Sequence, residues 1–447
     1  MPKIKNHQFE KKECNIFRLI ERKYNKYMLV PEKDIRIIKW IRIAFLNLLI
    51  VALLGVIMRY KIAYYLPFVD QNNFLQAHSH FAFSGWVTQV LMALMWAFLY
   101  IYLDKATLRK YQWLLIANLT SAYGLLVSLI WKGYGDISTL FTFLTVIVSY
   151  LFAIFFWIDL NKIKGKIISI YWFKAALVFS VISSFGVFFL SYIMDNNIQQ
   201  PTWFLAGTYY FLHFQYNGWF FCACMGLLTE QIKSGISFSL QKKIFLLFAL
   251  ACIPAYFLSA LWLLIPTWMY ILVVMAAAAD LTGWILLLKT FIINKPESFK
   301  NLSFLTRWLF ILSAVSLSIK LLLQMGSTIP FLSTLAFGFR PVVIGYLHLM
   351  FLGVISLFII GYCKLNQFII NTKTGNTGII IFVAGIILNE VFLMIQGFSY
   401  MNYIKVPYIN ELLFAAAICM LLGISLLIPS TKTVHMDKLP GIYKKDD

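Results

Sequence analysis

Charge is scarce in this sequence. Only 13% of its 447 residues are charged and only 18 are acidic, where soluble domains carry about 25% charged residues. With 61% of residues hydrophobic and a mean hydropathy of +0.79, the chain has more apolar surface than a water-soluble fold can hide. Apolar runs of 20 or more residues recur from about Ile37 to Leu427, which reads as a polytopic α-helical membrane protein rather than a globular enzyme with one anchor. A membrane β-barrel is excluded too, since its strands would be roughly ten residues of alternating polarity.

Cysteine is also sparse. The six residues, Cys14, Cys222, Cys224, Cys252, Cys363 and Cys419, follow no framework spacing, and all but Cys14 lie in or beside apolar segments. That pattern argues against a disulfide scaffold. Residues 1–36 are too long, too charged and too weakly apolar for a cleaved secretory signal and read as a basic cytoplasmic tail. The formal charge of +20 is no nucleic-acid signature, because the lysines and arginines sit almost entirely between the apolar runs.

At about 20 residues per span, the sequence predicts an all-α membrane bundle of about twelve transmembrane helices. They are centred near residues 48, 88, 122, 148, 183, 216, 254, 279, 315, 351, 388 and 419. The membrane domain covers residues 37–430, and a second cytoplasmic tail follows at 431–447. The connections alternate in charge. One set carries Lys105, Arg109 and Lys110, then Lys162, Lys164 and Lys166, then Lys233, Lys242 and Lys243, then Lys289, Lys295 and Lys300, then Lys364 and Lys373, and both termini. The other set holds Arg59, Lys61, Lys132, Arg340 and Lys405. By the positive-inside rule both termini are cytoplasmic. The excess of positive charge therefore reports topology and contact with anionic membrane lipid.

A pattern of His, apolar, any, aromatic, any, Gly occurs three times: His80-Phe81-Ala82-Phe83-Ser84-Gly85, His213-Phe214-Gln215-Tyr216-Asn217-Gly218 and His348-Leu349-Met350-Phe351-Leu352-Gly353. The histidines are 133 and 135 residues apart. Near-equal spacing divides the helices into three four-helix pseudo-repeats, with the histidine on helices 2, 6 and 10. All three helices are expected to enter from the outer side, placing the imidazoles at one level about 10–15 Å in.

Only six histidines are present, and His7 and His435 lie in the polar tails. A lone histidine in a helix is usually a satisfied core residue. Four in register, His78, His80, His213 and His348, favour haem or metal ligation, because ionisable groups inside membranes are costly and mark function. Neutral imidazole is a common ligand of haem iron and copper. His78 and His80 diverge by some 200° around a helix, so only one of them can serve a given iron. Asp280 and Asn389-Glu390, near mid-membrane, read either as a proton path or as structural partners of Lys320. Cys222 and Cys224 read as small packing residues, and Gly85, Gly218 and Gly353 as points of close helix packing.

Twelve helices in three units with histidines on helices 2, 6 and 10 resemble subunit I of the haem-copper oxidase and nitric-oxide reductase superfamily. The resemblance spans residues 37–430. It implies that Ala77-His78-Ser79-His80 stands where that family has an axial ligand of a low-spin haem, with His348 as the opposite ligand. His213 matches the helix 6 histidine that binds copper or non-haem iron there. The family favours His78 as the ligand, whereas the internal repeat aligns His80. Lys320 and Arg340, near the expected histidine level, would pair with haem propionates, although Arg340 fits interfacial snorkelling equally well.

The departures from that family are larger than the matches. Ile244 to Leu264 contains no histidine, where helix 7 should bring an adjacent pair, and Tyr346 stands where the high-spin haem ligand should be. The binuclear centre therefore lacks at least three histidines, and a copper site is disfavoured. His78-Ser79-His80 and Leu347-His348-Leu349-Met350 are also loosely similar to the nitric-oxide-response membrane proteins, twelve-helix haem and copper binders.

The expectation is a haem-binding protein of the bacterial inner membrane with a low-spin, b-type haem. Electron transfer or redox or gas sensing follows from the resemblance, with a quinol or cytochrome as electron donor. A transporter or an assembly factor with structural histidines is the alternative, and three repeats of one orientation fit poorly with the inverted repeats of many transporters. No turnover of dioxygen or nitric oxide is expected. An oxygen electrode with a quinol or reduced cytochrome should record no uptake, and steady uptake lost in His213→Ala would reveal a centre that the sequence hides.

Overall fold

The computed structural model describes residues 35–104, 108–232, 236–263, 265–333 and 339–431. The basic tail up to residue 34, the second tail beyond residue 431, and Lys105 and Lys233 of the connections lie outside the described residues.

Among the described residues the chain is helical and contains no strand. The long helices are α1 (Ile35–Ala63), α2 (Gln71–Leu99), α3 (Lys110–Lys132), α4 (Asp136–Leu160) and α5 (Ile168–Asp195). Next come α6, built from Pro201–His213, Phe214–Phe220 and Phe221–Gln231, and α7, built from Phe238–Ala251 and Pro254–Ala260. The chain continues with α8 (Thr267–Asn294), α9 (Phe304–Gly326), α10 (Arg340–Leu365), α11 (Lys373–Met401) and α12 (Ile409–Thr431). Ten of these are long and apolar enough to cross a membrane, or eleven if the bent α7 counts as one span. That is what an integral membrane protein requires. Helix α6 is the less apolar one, because its middle carries Tyr209, Tyr210, His213, Gln215, Tyr216 and Asn217.

Helix α7 bends by 45° between its two parts. Pro254 is the cause, since a proline has no N–H to give and its ring collides with the preceding turn. An apolar run over residues 244–264 looks continuous, and the proline alone betrays the bend.

Helices α11 and α12 pack closely through glycines. A Cβ on Gly378 would come within 2.6 Å of the Gly423 carbonyl oxygen, and one on Gly423 within 2.5 Å of the Phe382 nitrogen. Both contacts are with backbone, so no side chain can rotate away. Gly423→Val should cost about 1–3 kcal/mol by overpacking, read as a lower melting temperature in detergent. Gly135→Ala, with nothing within 4 Å of its Cβ, should leave the melting temperature unchanged.

Three helices leave α geometry just after the histidine of the repeated pattern. The π-helical stretches are Ala82–Thr88 in α2, Phe214–Phe220 in α6 and Leu349–Ser356 in α10. Such turns disturb the regular i to i+4 ladder and leave carbonyls to find other partners. Hydrocarbon offers no water for the purpose, so neighbouring helices donate. Asn47 Nδ2 bonds the Gly85 carbonyl at 2.6 Å, Asn118 Nδ2 that of Ser84 at 3.0 Å, and Ser313 Oγ that of Val354 at 2.8 Å. Asn47 also accepts from the Tyr123 hydroxyl at 2.9 Å. Asn47→Leu should lower stability by about 1 kcal/mol, the scale of an interhelical hydrogen bond in a membrane, measured by thermal unfolding in detergent.

Candidate functional site

Phe351, the aromatic residue of the third repeated pattern, meets those of the other two. Phe83 and Phe351 meet with tilted rings 4.5 Å apart, centroid to centroid, and Tyr216 lies 6.0 Å from Phe351. One turn further along, Trp86 Nε1 donates to Ser356 Oγ at 3.1 Å. Both contacts advance along α2 and α10 together, so the two helices run in the same direction. His78 lies eight residues before Trp86, and His348 eight residues before Ser356. These contacts therefore bring His78 and His348 to the same level.

The imidazole of His78 faces α1. Its Nδ1 bonds the Val51 carbonyl at 3.0 Å, and a Cβ at Gly55 on the next turn would lie in ordinary contact with the ring, 3.5 Å from Cε1. His348 Nδ1 bonds the Ile344 carbonyl at 2.9 Å. A carbonyl only accepts, so each Nδ1 carries the proton and each Nε2 keeps its lone pair. Neither Nε2 has a hydrogen-bond partner among the described residues. The two rings are close enough to influence each other electrostatically, and Arg59 acts on both. Arg59, at the end of α1, also interacts with Glu390 of α11. Its guanidinium makes no hydrogen bond or ion pair within 4.0 Å among the described residues.

His80 turns the other way. Its Nε2 meets the Tyr134 hydroxyl in the turn between α3 and α4, with the rings edge to face at 5.7 Å. Burial pushes the Tyr134 phenol up to about 12, so at neutral pH it keeps its proton and can donate to that nitrogen or accept from it. His80 thus has one ring nitrogen engaged, on the far side of α2 from His348.

His213 uses both ring nitrogens within the protein. Nε2 donates to the Cys252 carbonyl at 2.8 Å, and Nδ1 accepts from Asn217 Nδ2 at 3.1 Å. The bend in α7 frees that carbonyl, because the Tyr256 amide turns to Ile253 instead. A helix 7 without histidine thereby still holds the ring of His213. Lys320 is buried near His213 and Asp280, away from His78 and His348. It forms no ion pair within 4.0 Å among the described residues. Glu390, considered above as its partner, lies toward Arg59 instead. Arg340 is exposed at the start of α10. Cys222, Cys224 and Cys252 are buried free thiols. Among the described residues no three His, Cys, Asp or Glu side chains converge as a metal ion would need.

The sequence reading overlooked Arg59, which looked like one more residue of a connection. The signal was a guanidinium one turn from the end of an apolar helix, beside a neighbour that carries two histidines.

A chamber of about 750 Å³ lies beside this centre, walled by α6, α7, α9, α10 and α11, with His213, Asn217, Gln324, Tyr346 and Glu390 among its lining residues. Behind Asn217 and Gln324 a void of about 20 Å³ reaches Lys320, Asp280 and Cys252. The sequence matches no protein-family model and no curated protein.

Proposed function

We propose that this protein is a haem-binding membrane protein on the scaffold of oxidase subunit I, serving electron transfer or redox sensing without reducing dioxygen. The observation that carries this reading is a pair of imidazoles at one level, each pinned through Nδ1 to a backbone carbonyl, each with Nε2 free. Axial haem histidines are held in this way, the second nitrogen fixing ring orientation and tautomer. His78 and His348 fit that role. The unpaired Arg59 guanidinium fits a propionate, and does so better than Lys320 or the exposed Arg340. A haem held by two histidines supplies a one-electron redox centre.

The residues around the pair would do the rest. Val51 and Ile344 fix the tautomers, and the Phe83, Phe351 and Trp86 contacts below keep α2 and α10 in register. The bundle is read as twelve spans in three units, with α6 as a span in spite of its polar middle. Three π-helical stretches placed alike after His80, His213 and His348 support this division. Both termini are assigned to the cytoplasm of a bacterial inner membrane on the charge pattern, with a quinol or cytochrome as donor.

The test is an optical spectrum of purified protein, oxidised and then reduced with dithionite. Sharp reduced bands of a six-coordinate haem are expected, lost in His78→Ala and in His348→Ala and kept in His80→Ala. A featureless spectrum from folded, haem-supplemented protein, or bands that survive His348→Ala, would sink the reading.

A further inference from the structure

Helix α7 packs on α8. The two come close at Gly283, where a Cβ would lie 3.0 Å from the Phe248 ring and 3.3 Å from Leu247 Cβ. Beside this contact a groove of about 530 Å³ runs along α7, with Ala279 of α8 in its wall. From α7 it takes seven residues between Ser239 and Ala251, at the i, i+3, i+4, i+7 spacing that keeps to one helical face. At 1.5 Å per residue the stripe is about 18 Å long.

The two ends of the groove differ in chemistry. Toward the start of α7 it is lined by Ser239, Lys242 and Lys243, all exposed. No acidic residue lines it, and neither lysine makes an ion pair among the described residues. From Leu246 onward the lining is apolar. Leu246 is 40% and Leu250 64% exposed, so in a bilayer this wall meets acyl chains. The lysine end lies on the side that the charge pattern assigns to the cytoplasm, where anionic lipid gathers and basic pockets between spanning helices take its head groups.

We propose that this groove binds one anionic phospholipid. Its phosphate sits between Lys242 and Lys243, with the Ser239 hydroxyl as a further donor, and one acyl chain lies along Leu246, Leu250 and Ala279. Two ammonium groups with no carboxylate beside them select a head group of net negative charge, since they repel the cation of a choline or ethanolamine head. A free phosphate would use the charged end alone and gain nothing from the apolar wall. The groove reaches Ala251, next to Cys252, whose carbonyl holds His213. A bound chain therefore braces the bent helix where it fixes that ring. The inference goes beyond the haem reading and does not depend on it.

Native mass spectrometry of the full chain, titrated with dioleoylphosphatidylglycerol or dioleoylphosphatidylcholine, tests this by counting retained lipids. One phosphatidylglycerol should be held about tenfold or more tightly than phosphatidylcholine. Lys242→Gln with Lys243→Gln should abolish the preference. Lys164→Gln with Lys166→Gln, which removes the same charge from another connection, should keep it. Ala279→Phe fills the groove without changing charge and should weaken phosphatidylglycerol about tenfold. Should that variant fail to fold, dihexanoylphosphatidylglycerol decides, since its chains are too short to follow the groove and it should bind wild type about tenfold more weakly than the long-chain lipid. Equal loss from both lysine pairs would mean attraction to surface charge alone. Equal binding of long-chain and short-chain lipid would mean a phosphate site that ignores the groove. Either result overturns the proposal.

Discussion

Every backbone carbonyl within hydrocarbon must find a donor inside the protein, and the architecture around the three π-helical stretches follows from that demand. A π turn widens the helix and disturbs its own ladder. It is tolerated where a neighbour donates, as Asn47, Asn118 and Ser313 do. The same neighbours must then stand at fixed heights, because a side-chain amide reaches only about 3 Å. Helices α1 and α3 are thereby registered against α2, and α9 against α10.

The glycine of each repeated pattern lies within its π stretch and has a packing role as well. A Cβ on Gly218 would strike the Phe179 side chain at 2.6 Å, and one on Gly353 the Ser316 hydroxyl at 2.6 Å. Close approach at these points lets the aromatic residues two positions earlier meet. Histidine, aromatic and glycine thus divide one task, with the ring held above, the contact made in the middle and the neighbour admitted below.

Four histidines in such similar settings end in different chemical states. His213 has both ring nitrogens engaged, by Cys252 and Asn217, and His80 has its Nε2 engaged by Tyr134. In His78 and His348 the bond falls on Nδ1, which leaves Nε2 with its lone pair. What separates them is the atom that each ring meets, across a helix interface for His78 and His213, in a turn for His80 and within its own helix for His348. A backbone carbonyl takes the proton of one ring nitrogen, Nδ1 in His78 and His348 and Nε2 in His213, and leaves the other as an acceptor, which in His213 the Asn217 amide fills.

Composition and apolar run length alone determine the all-helical membrane class, since 61% hydrophobic residues can be accommodated in no other way. The spacing of the histidine pattern also marks α2, α6 and α10 in advance, because equal spacing survives as equal position along each helix. Divergence of His78 from His80 follows from helix geometry too. Which of them turns toward His348 does not, for rotation about the helix axis is decided by packing against α1 and the turn at Tyr134. The same holds for Arg59 and for Lys320, whose partners come from helices far away in the chain. The bend at Pro254 is legible, but its consequence, a carbonyl released to His213, requires the two helices to be side by side. A residue's chemistry is carried by the sequence, whereas the saturation of its hydrogen bonds is a property of contacts, and only the tertiary structure sets those.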